Sequence, residues 1–435
     1  MKNTFVIGFM LFAIFFGAGN LIFPPKLGLE MGQDFWLAIM GFILTGVGLP
    51  LLTIIVGSFF ANGYKQALDK ISPHFSVVFL VSVYLALGPG FGIPRTAATA
   101  YDLAISPLLE EQNGFFLFLF SAVYFCVAVW LSLNPSKMVG RVGAVLTPVL
   151  LLFIFALIAR SLWLFADVEA SGAAVTGNAF AKGIIEGYFT MDILAAMAFS
   201  VIVISAVKAQ GSHGKIFTHQ TVKSAMIAAL LLTFVYVAIG WIGNKMPGET
   251  AVLAQLKGQN IGTFILNVAT EQAFGPLGKS VLACIVILAC LTSAVGLITA
   301  ISQYFSQVFR RISYRNYVLL FSFISFILAN RGLDAVISTS VPVLLILYPI
   351  AITVLIVLLG DKWLNVPMIA QRCALLCVSL VSVISVLGEK LGLDSVALLP
   401  FKANSMEWIP FLIIGLGLGY IIHRLRPKAA LEVNR

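Results

Sequence analysis

Carboxylates, hydroxyls and glycines are out of place inside long apolar stretches, and this sequence puts them there in four clusters. The sharpest is Glu186-Gly187-Tyr188-Phe189-Thr190-Met191-Asp192, which opens a run that is otherwise apolar to about residue 207. Asp192 lies about eight residues into the span expected near 184–207, roughly 12 Å deep at ~1.5 Å per residue and near the middle of a bilayer. A carboxylate at that depth is costly and by default faces a cavity or a partner. Its chemistry there is to hold an ammonium group or to carry a proton; its plainer role is a buried hydrogen-bond acceptor. The second cluster, Gly17-Ala18-Gly19-Asn20, interrupts FVIGFMLFAIFFGAGNLIFPPKLG, Phe5 to Gly28. Two glycines loosen a helix, and irregular backbone survives in hydrocarbon only where protein, a polar cavity or a ligand satisfies it. The break therefore signals a binding site, with a glycine packing face as the alternative. The half-helix after it, Leu21 to Phe23, is expected to end at Pro24-Pro25.

The third cluster places Ala289, Thr292 and Ser293 at i, i+3 and i+4, so one carbonyl and two hydroxyls share a helical face. That set suits a small hard cation, although such hydroxyls often bond back to their own helix. The fourth, Gly88-Pro89-Gly90-Phe91-Gly92-Ile93-Pro94-Arg95-Thr96, is a distorted segment ending in a charge. Arg95 is expected about ten residues past the centre of its span, roughly 15 Å out, where it can snorkel to the interface.

These clusters need membrane helices to hold them. With 60% hydrophobic and 10% charged residues over 435, the chain cannot hide its apolar surface in a soluble core. Twelve spans are expected, near 5–24, 34–59, 76–100, 114–133, 142–165, 184–207, 222–244, 278–308, 316–331, 335–360, 369–388 and 407–424. The N-terminus resembles a secretory signal only superficially, because its apolar run continues to Pro24. No loop is long enough for a second domain, and the longest outside stretches, about 166–183 and 245–277, leave room for short surface helices at most. The chain reads as one transporter domain over 1–435. Within it, 1–165 and 184–360 form two halves, 369–424 two accessory helices, and 425–435 a basic tail.

Breaks in spans one and six are what two five-helix halves of opposite orientation produce, and inverted-repeat transporters place their site where such breaks meet. Of the 27 Lys and Arg, 17 fall in loops and tails that a cytoplasmic N-terminus would leave inside. Both termini are accordingly expected in the cytoplasm. The net charge of +9 thus reflects topology rather than nucleic-acid binding. His74, His213, His219 and His423 fall in loops or at a span end, which argues against a histidine relay or a metal-centred enzyme. No HExxH or GxxxxGK[ST] pattern is present, which argues against a membrane protease and a nucleotide-driven pump. A channel would need a continuous polar lining, whereas the polar residues form a few mid-span clusters. Cys126, Cys284, Cys290, Cys373 and Cys377 sit inside apolar spans as packing residues.

Together GFMLFAIFFGAGNLIFPPKLG, GPGFGIPRTA, YFTMD and LTSAVGL resemble the bacterial branched-chain amino acid carrier family of cation symporters, in order and across the whole chain. The resemblance implies an all-α membrane protein of leucine-transporter type: five plus five inverted helices, the first and sixth broken, plus two extra C-terminal helices. It implies import of leucine, isoleucine and valine across the bacterial plasma membrane, coupled to sodium as the co-transported ion, with no organic cofactor. By the same resemblance Gly17, Ala18 and Gly19 present amides to the substrate carboxylate, and Asn20 reaches a cation or that carboxylate. Phe189 and Met191 pack on the aliphatic side chain, and Thr190 and Asp192 face the polar end. Ala13, Phe16 and Ala289 give carbonyls, and Thr292 and Ser293 hydroxyls, to sodium. One departure from the leucine transporter is Asp192, which stands where that protein has a hydroxyl residue. It can hold the ammonium directly or make coupling protonic.

Overall fold

The computed structural model describes residues 2–109, 114–135, 139–170, 177–209, 214–246 and 260–425, which contain helices and no strand. Residues 426–435 of the expected tail, parts of the two long outside stretches (171–176 and 247–259), Lys137 and His213 lie outside the described residues. In chain order the helices are α1 (Lys2–Phe15), α2 (Ala18–Met31), α3 (Phe35–Ile43), α4 (Leu49–Gly57), α5 (Gly63–Ile71), α6 (Pro73–Leu85), α7 (Gly92–Ala104), α8 (Gly114–Ser132) and α9 (Thr147–Leu164). There follow α10 (Ala179–Tyr188), α11 (Asp192–Lys208), α12 (Gly214–Asn244), α13 (Ile261–Phe274), α14 (Gly278–Val308), α15 (Tyr314–Ala329), α16 (Leu333–Leu364), α17 (Met368–Lys390) and α18 (Trp408–Leu425).

Among the described residues nine helical stretches are long and apolar enough to cross a membrane, or ten when the bent pair α10 and α11 counts as one span. The number departs from twelve for local reasons. The first span is cut at Gly17, its second half runs on into the next helix as one stretch from Ala18 to Gly57, and α15 has only 16 residues.

The helices gather into two compact units, Met1–Ser58 with Tyr84–Ser340, and Phe59–Val83 with Val341–Arg435. Inside the first, each broken span lies against the second span of the other half: α1 and α2 pack on α12, while α10 packs on α3 and α11 on α4. Glycine permits this closeness. A Cβ on Gly28 would fall 1.9 Å from the Gly240 carbonyl oxygen, and one on Gly183 would fall 1.8 Å from that of Ala38. In the second unit α17 and α18 pair through small residues, with Gly415 and Gly419 set on Ala374 and Ala370.

Two expectations are corrected here. The half-helix after the first break does not stop at Pro24-Pro25; α2 runs through both prolines to Met31. Two prolines remove only two backbone donors, and α2 is clasped by α12 and α13 along the same stretch, so packing outweighs the loss. Secondly, α13 is no surface helix: Ile265 and Ala269 are fully buried, in a cluster with Leu29, Phe165, Ile242 and Met246. Its apolar face had no visible partner in the sequence because α2 and α12 supply it from far along the chain.

Candidate functional site

The first break is short. The amide of Phe16 still bonds to Phe12 at 2.7 Å, and the ladder resumes with Leu21 bonding to Gly17 at 3.3 Å. The amides of Ala18, Gly19 and Asn20 therefore open α2 without i−4 partners and carry its positive dipole end. The side chain of Asn20 turns back and accepts from the Gly17 amide at 3.1 Å, capping the new helix.

The second break is the turn Phe189-Thr190-Met191, across which α10 and α11 bend by 44°. Met191 adopts φ 70°, a left-handed conformation that costs an unbranched residue on the order of 1–2 kcal/mol. Thr190 ties the turn by donating from its hydroxyl to the Gly187 carbonyl at 2.7 Å. Asp192 is thereby delivered as the first residue of α11, where the helix dipole favours its negative charge.

The two breaks meet through side chains. Asn20 donates to the Asp192 carboxylate at 2.7 Å and to the Tyr236 hydroxyl of α12, which itself donates to Asp192 at 3.3 Å. Arg95 enters from α7 and donates to the carbonyls of Phe189 at 2.7 Å and Thr190 at 3.1 Å. It is only 4% exposed, which corrects its expected place at the interface. The reason is the negative C-terminal end of α10, which draws the guanidinium inward and caps it. Gly19 leaves room for it, since a Cβ there would lie 2.7 Å from Arg95 Nη2.

A small cavity opens between these groups. Gly17, Ala18, Gly19, Asn20, Thr190, Met191 and Asp192 all line it, and so do Arg95, Phe15, Leu87, Phe199 and Leu297. Phe189 does not; its ring tilts onto Phe23 at 5.9 Å, and the apolar wall comes mainly from Phe15 and Phe199, which meet edge to face at 5.3 Å. Of the cavity residues the sequence reading left out, Arg95 had a visible signal, its place at the end of a distorted glycine-proline run. Phe15, Phe199 and the adjacent Tyr236 had none, being aromatic residues in ordinary apolar helices.

Beside the cavity, Thr292 donates to the carbonyls of Ala13 at 2.8 Å and Ala289 at 3.0 Å, and Ser293 donates to Ala13 at 3.3 Å. Four of the five expected oxygen donors are thus joined directly. Phe16 is buried close by in sequence, but among the described residues no hydrogen bond joins its carbonyl to either hydroxyl. Ser293 also lines the cavity, and a Cβ on Gly17 would fall 2.6 Å from its Oγ. On the α2 and α10 segments leading away from the breaks, Lys26 and Lys182 flank the buried Glu186 at 3.1 and 3.3 Å, and both reach Glu30.

A family model described as branched-chain amino acid transport protein matches residues 1–426. A protein of Staphylococcus aureus named as a branched-chain amino acid carrier is 47% identical over 436 residues, covering 97% of this chain and 96% of that protein. One of Staphylococcus haemolyticus with the same description is 46% identical over 434 residues, covering 97% and 96%. Among solved structures, a nucleobase-cation-symport-1 family transporter, closed with bromovinylhydantoin bound, aligns with a TM-score of 0.58 at 15% identity, covering 97% of this chain and 92% of that one. The transporter MhsT in complex with L-phenylalanine aligns at 0.57 and 18%, covering 96% and 97%. A manganese transporter mutant of Eremococcus coleocola aligns at 0.61 and 15%, covering 98% and 95%. Those structural likenesses establish the leucine-transporter-type fold. Family match and near-half identity to the carriers, both running almost end to end, establish more: the chain belongs to the branched-chain amino acid transport protein family, membrane transporters rather than enzymes.

Proposed function

We propose that the protein is a secondary symporter that imports leucine, isoleucine and valine together with sodium by alternating access around the two breaks. The observation that carries this reading is the pairing of a cavity whose lining matches the three parts of an amino acid with an adjoining set of neutral oxygens. The cavity offers unpaired amides at one end, the Asp192 carboxylate and a wall of aromatic and aliphatic side chains. A carboxylate suits the amides at the start of α2, an ammonium suits Asp192, and a branched aliphatic chain suits Phe15, Met191 and Phe199. That wall carries no charged group, and the cavity's Arg95 is held by the Phe189 and Thr190 carbonyls, so an apolar substrate side chain fits best.

Sodium, the co-transported substrate, takes oxygen ligands and needs little formal charge around it. The carbonyls of Ala13 and Ala289 and the hydroxyls of Thr292 and Ser293 supply such ligands, with Phe16 as a fifth. Bound there, the ion ties α1 to α14, and because Ser293 touches Gly17 the same event orders the wall of the cavity. That differential contact lets ion occupancy bias one state of the cycle. We place the protein in the bacterial plasma membrane with both termini cytoplasmic, on the distribution of basic residues in its loops.

A second reading, proton coupling, is favoured by one observation: Asp192 is 2% exposed and shared between Asn20 and Tyr236, a setting in which a carboxylate can carry its proton across the cycle. Counterflow of labelled leucine in proteoliposomes decides between them. Uptake that follows an imposed sodium gradient at constant pH supports the first reading, and uptake that follows a pH gradient without sodium transfers the coupling role to Asp192.

A further inference from the structure

Away from the transport site, α8 and α15 leave an open apolar groove between them, lined by Ala122, Cys126, Trp130 and Leu133 on one side and Leu319 and Phe323 on the other. From Ala122 to Leu133 it runs roughly 16 Å at ~1.5 Å per residue, about half the ~30 Å hydrocarbon thickness and so one leaflet deep. One end is basic. The guanidinium of Arg141 lies over the Trp130 ring, 5.1 Å from its centre, and its Nη1 is buried without a hydrogen-bond partner among the described residues. Arg315 precedes Leu319 by four residues on α15, which continues the groove wall by one turn with an exposed charge. The same end is closed by Tyr314, whose hydroxyl donates to the Ser132 carbonyl at 2.6 Å and fixes the two helix ends together.

Apolar walls alone would accept any lipid tail, but a buried cationic donor without an acceptor calls for an anion at one end. We propose that this groove is a binding site for an anionic phospholipid, with one acyl chain along α8 and α15 and the phosphate on Arg141, flanked by Arg315. A zwitterionic lipid supplies the same phosphate but brings its ammonium beside two arginines, which disfavours it. Each basic residue near an anionic lipid contributes on the order of fivefold in binding, so the pair gives phosphatidylglycerol roughly a 25-fold preference over phosphatidylcholine.

The test is native mass spectrometry of the detergent-purified full chain, titrated with phosphatidylglycerol or phosphatidylcholine carrying identical acyl chains. The wild type is expected to retain the anionic lipid preferentially. Arg141→Gln should cut that preference roughly fivefold while tail binding persists, and Cys126→Phe, which fills the groove, should lose both lipids. Thermal unfolding of each variant, compared with wild type, confirms that it is folded. Equal retention of the two lipids by the wild type, or an undiminished preference in Arg141→Gln, overturns the proposal. So does a Cys126→Phe protein that binds phosphatidylglycerol as before, since the site would then be a headgroup patch without a tail groove.

Discussion

Replacing Arg95 by methionine keeps a long apolar stem in place and deletes the two bonds that hold the Phe189 and Thr190 carbonyls at 2.7 and 3.1 Å. Hydrogen bonds to a charged donor contribute ~1.5–3 kcal/mol each, so ~3–6 kcal/mol of interaction is removed. Relief of the arginine's own desolvation offsets part of this, though not all, because Asp192 loses its only nearby cation in the cavity lining. A net loss of ~2–4 kcal/mol in the bound geometry of the second break is the result. That break forms a wall of the cavity, so the loss is read as leucine affinity reduced roughly 30- to 1,000-fold. Arg95→Lys, whose ammonium cannot grip two carbonyls as a planar fork does, should lie between. Gly19→Ala supplies an independent perturbation. Its Cβ would come within 2.7 Å of Arg95 Nη2 and 3.2 Å of the Phe23 ring edge, displacing the guanidinium without deleting it, at ~1–3 kcal/mol. The assay is equilibrium binding of labelled leucine to purified protein, with thermal unfolding measured on the same samples. An Arg95→Met protein that binds leucine within about threefold of wild type, well below the ~30-fold floor derived above, refutes the reasoning.

Three further outcomes are expected. Thr292→Ala combined with Ser293→Ala removes both hydroxyls from the Ala13 carbonyl and should abolish sodium stimulation of leucine uptake at unchanged membrane abundance; persistent sodium dependence would remove them as ligands. Asp192→Asn preserves shape but loses the partner of the substrate ammonium, so leucine binding should weaken by ~1.5–3 kcal/mol, and a pH-driven component that survives in this variant must run through another group. Gly183→Val forces a side chain into the space 1.8 Å from the Ala38 carbonyl oxygen and should lower the unfolding midpoint by separating α10 from α3, a change that thermal unfolding detects directly.

What was legible in the sequence follows a physical rule. Breaks at Gly17 and near Asp192 could be read because hydrocarbon penalises glycine, carboxylate and free backbone so heavily that their mere presence is a signal. The hydroxyl pair of Thr292 and Ser293 could be read because a helix puts i, i+3 and i+4 on one face. Long-range choices could not. Tyr236 reaches Asp192 across 44 positions of chain and Asn20 across 216, from a stretch of helix that is almost wholly apolar around it. Arg95 lies deeper than a straight span would put it, because a π-helical turn at Ala86–Gly90, with Gly88 outside helical geometry, re-aims the segment that carries it. The resemblance implies a place for Phe189 on the aliphatic side chain, whereas the left-handed turn at Met191 re-aims consecutive side chains and its ring lies on Phe23. The run through Pro24-Pro25 escaped notice for a related reason, since the packing that preserves α2 comes from α12 and α13.

The two breaks expose the same four helix ends, yet they satisfy them differently. At the second break the chain provides its own charges: Arg95 caps the negative end of α10, and Asp192 sits at the positive end of α11. At the first break the hydrogen bonds come from neutral groups. The Ala13 carbonyl at the negative end of α1 accepts from the hydroxyls of Thr292 and Ser293, and the Gly17 amide at the positive end of α2 donates to the Asn20 side chain. A cation beside Ala13 and a carboxylate at the amides of Ala18 and Gly19 would give the first break what the second already owns. On the proposed function, the missing pair arrives as sodium and the substrate carboxylate, and each strengthens the case for the other because they stand at the opposite ends of one short break. Cooperativity then needs no long path: Gly17 joins the two helix ends, and its contact with Ser293 makes the ion site and the cavity wall one structure. Gly17→Ala, which intrudes at that contact, should therefore loosen sodium and leucine binding together; loss of one with the other intact would show that the two sites are filled independently.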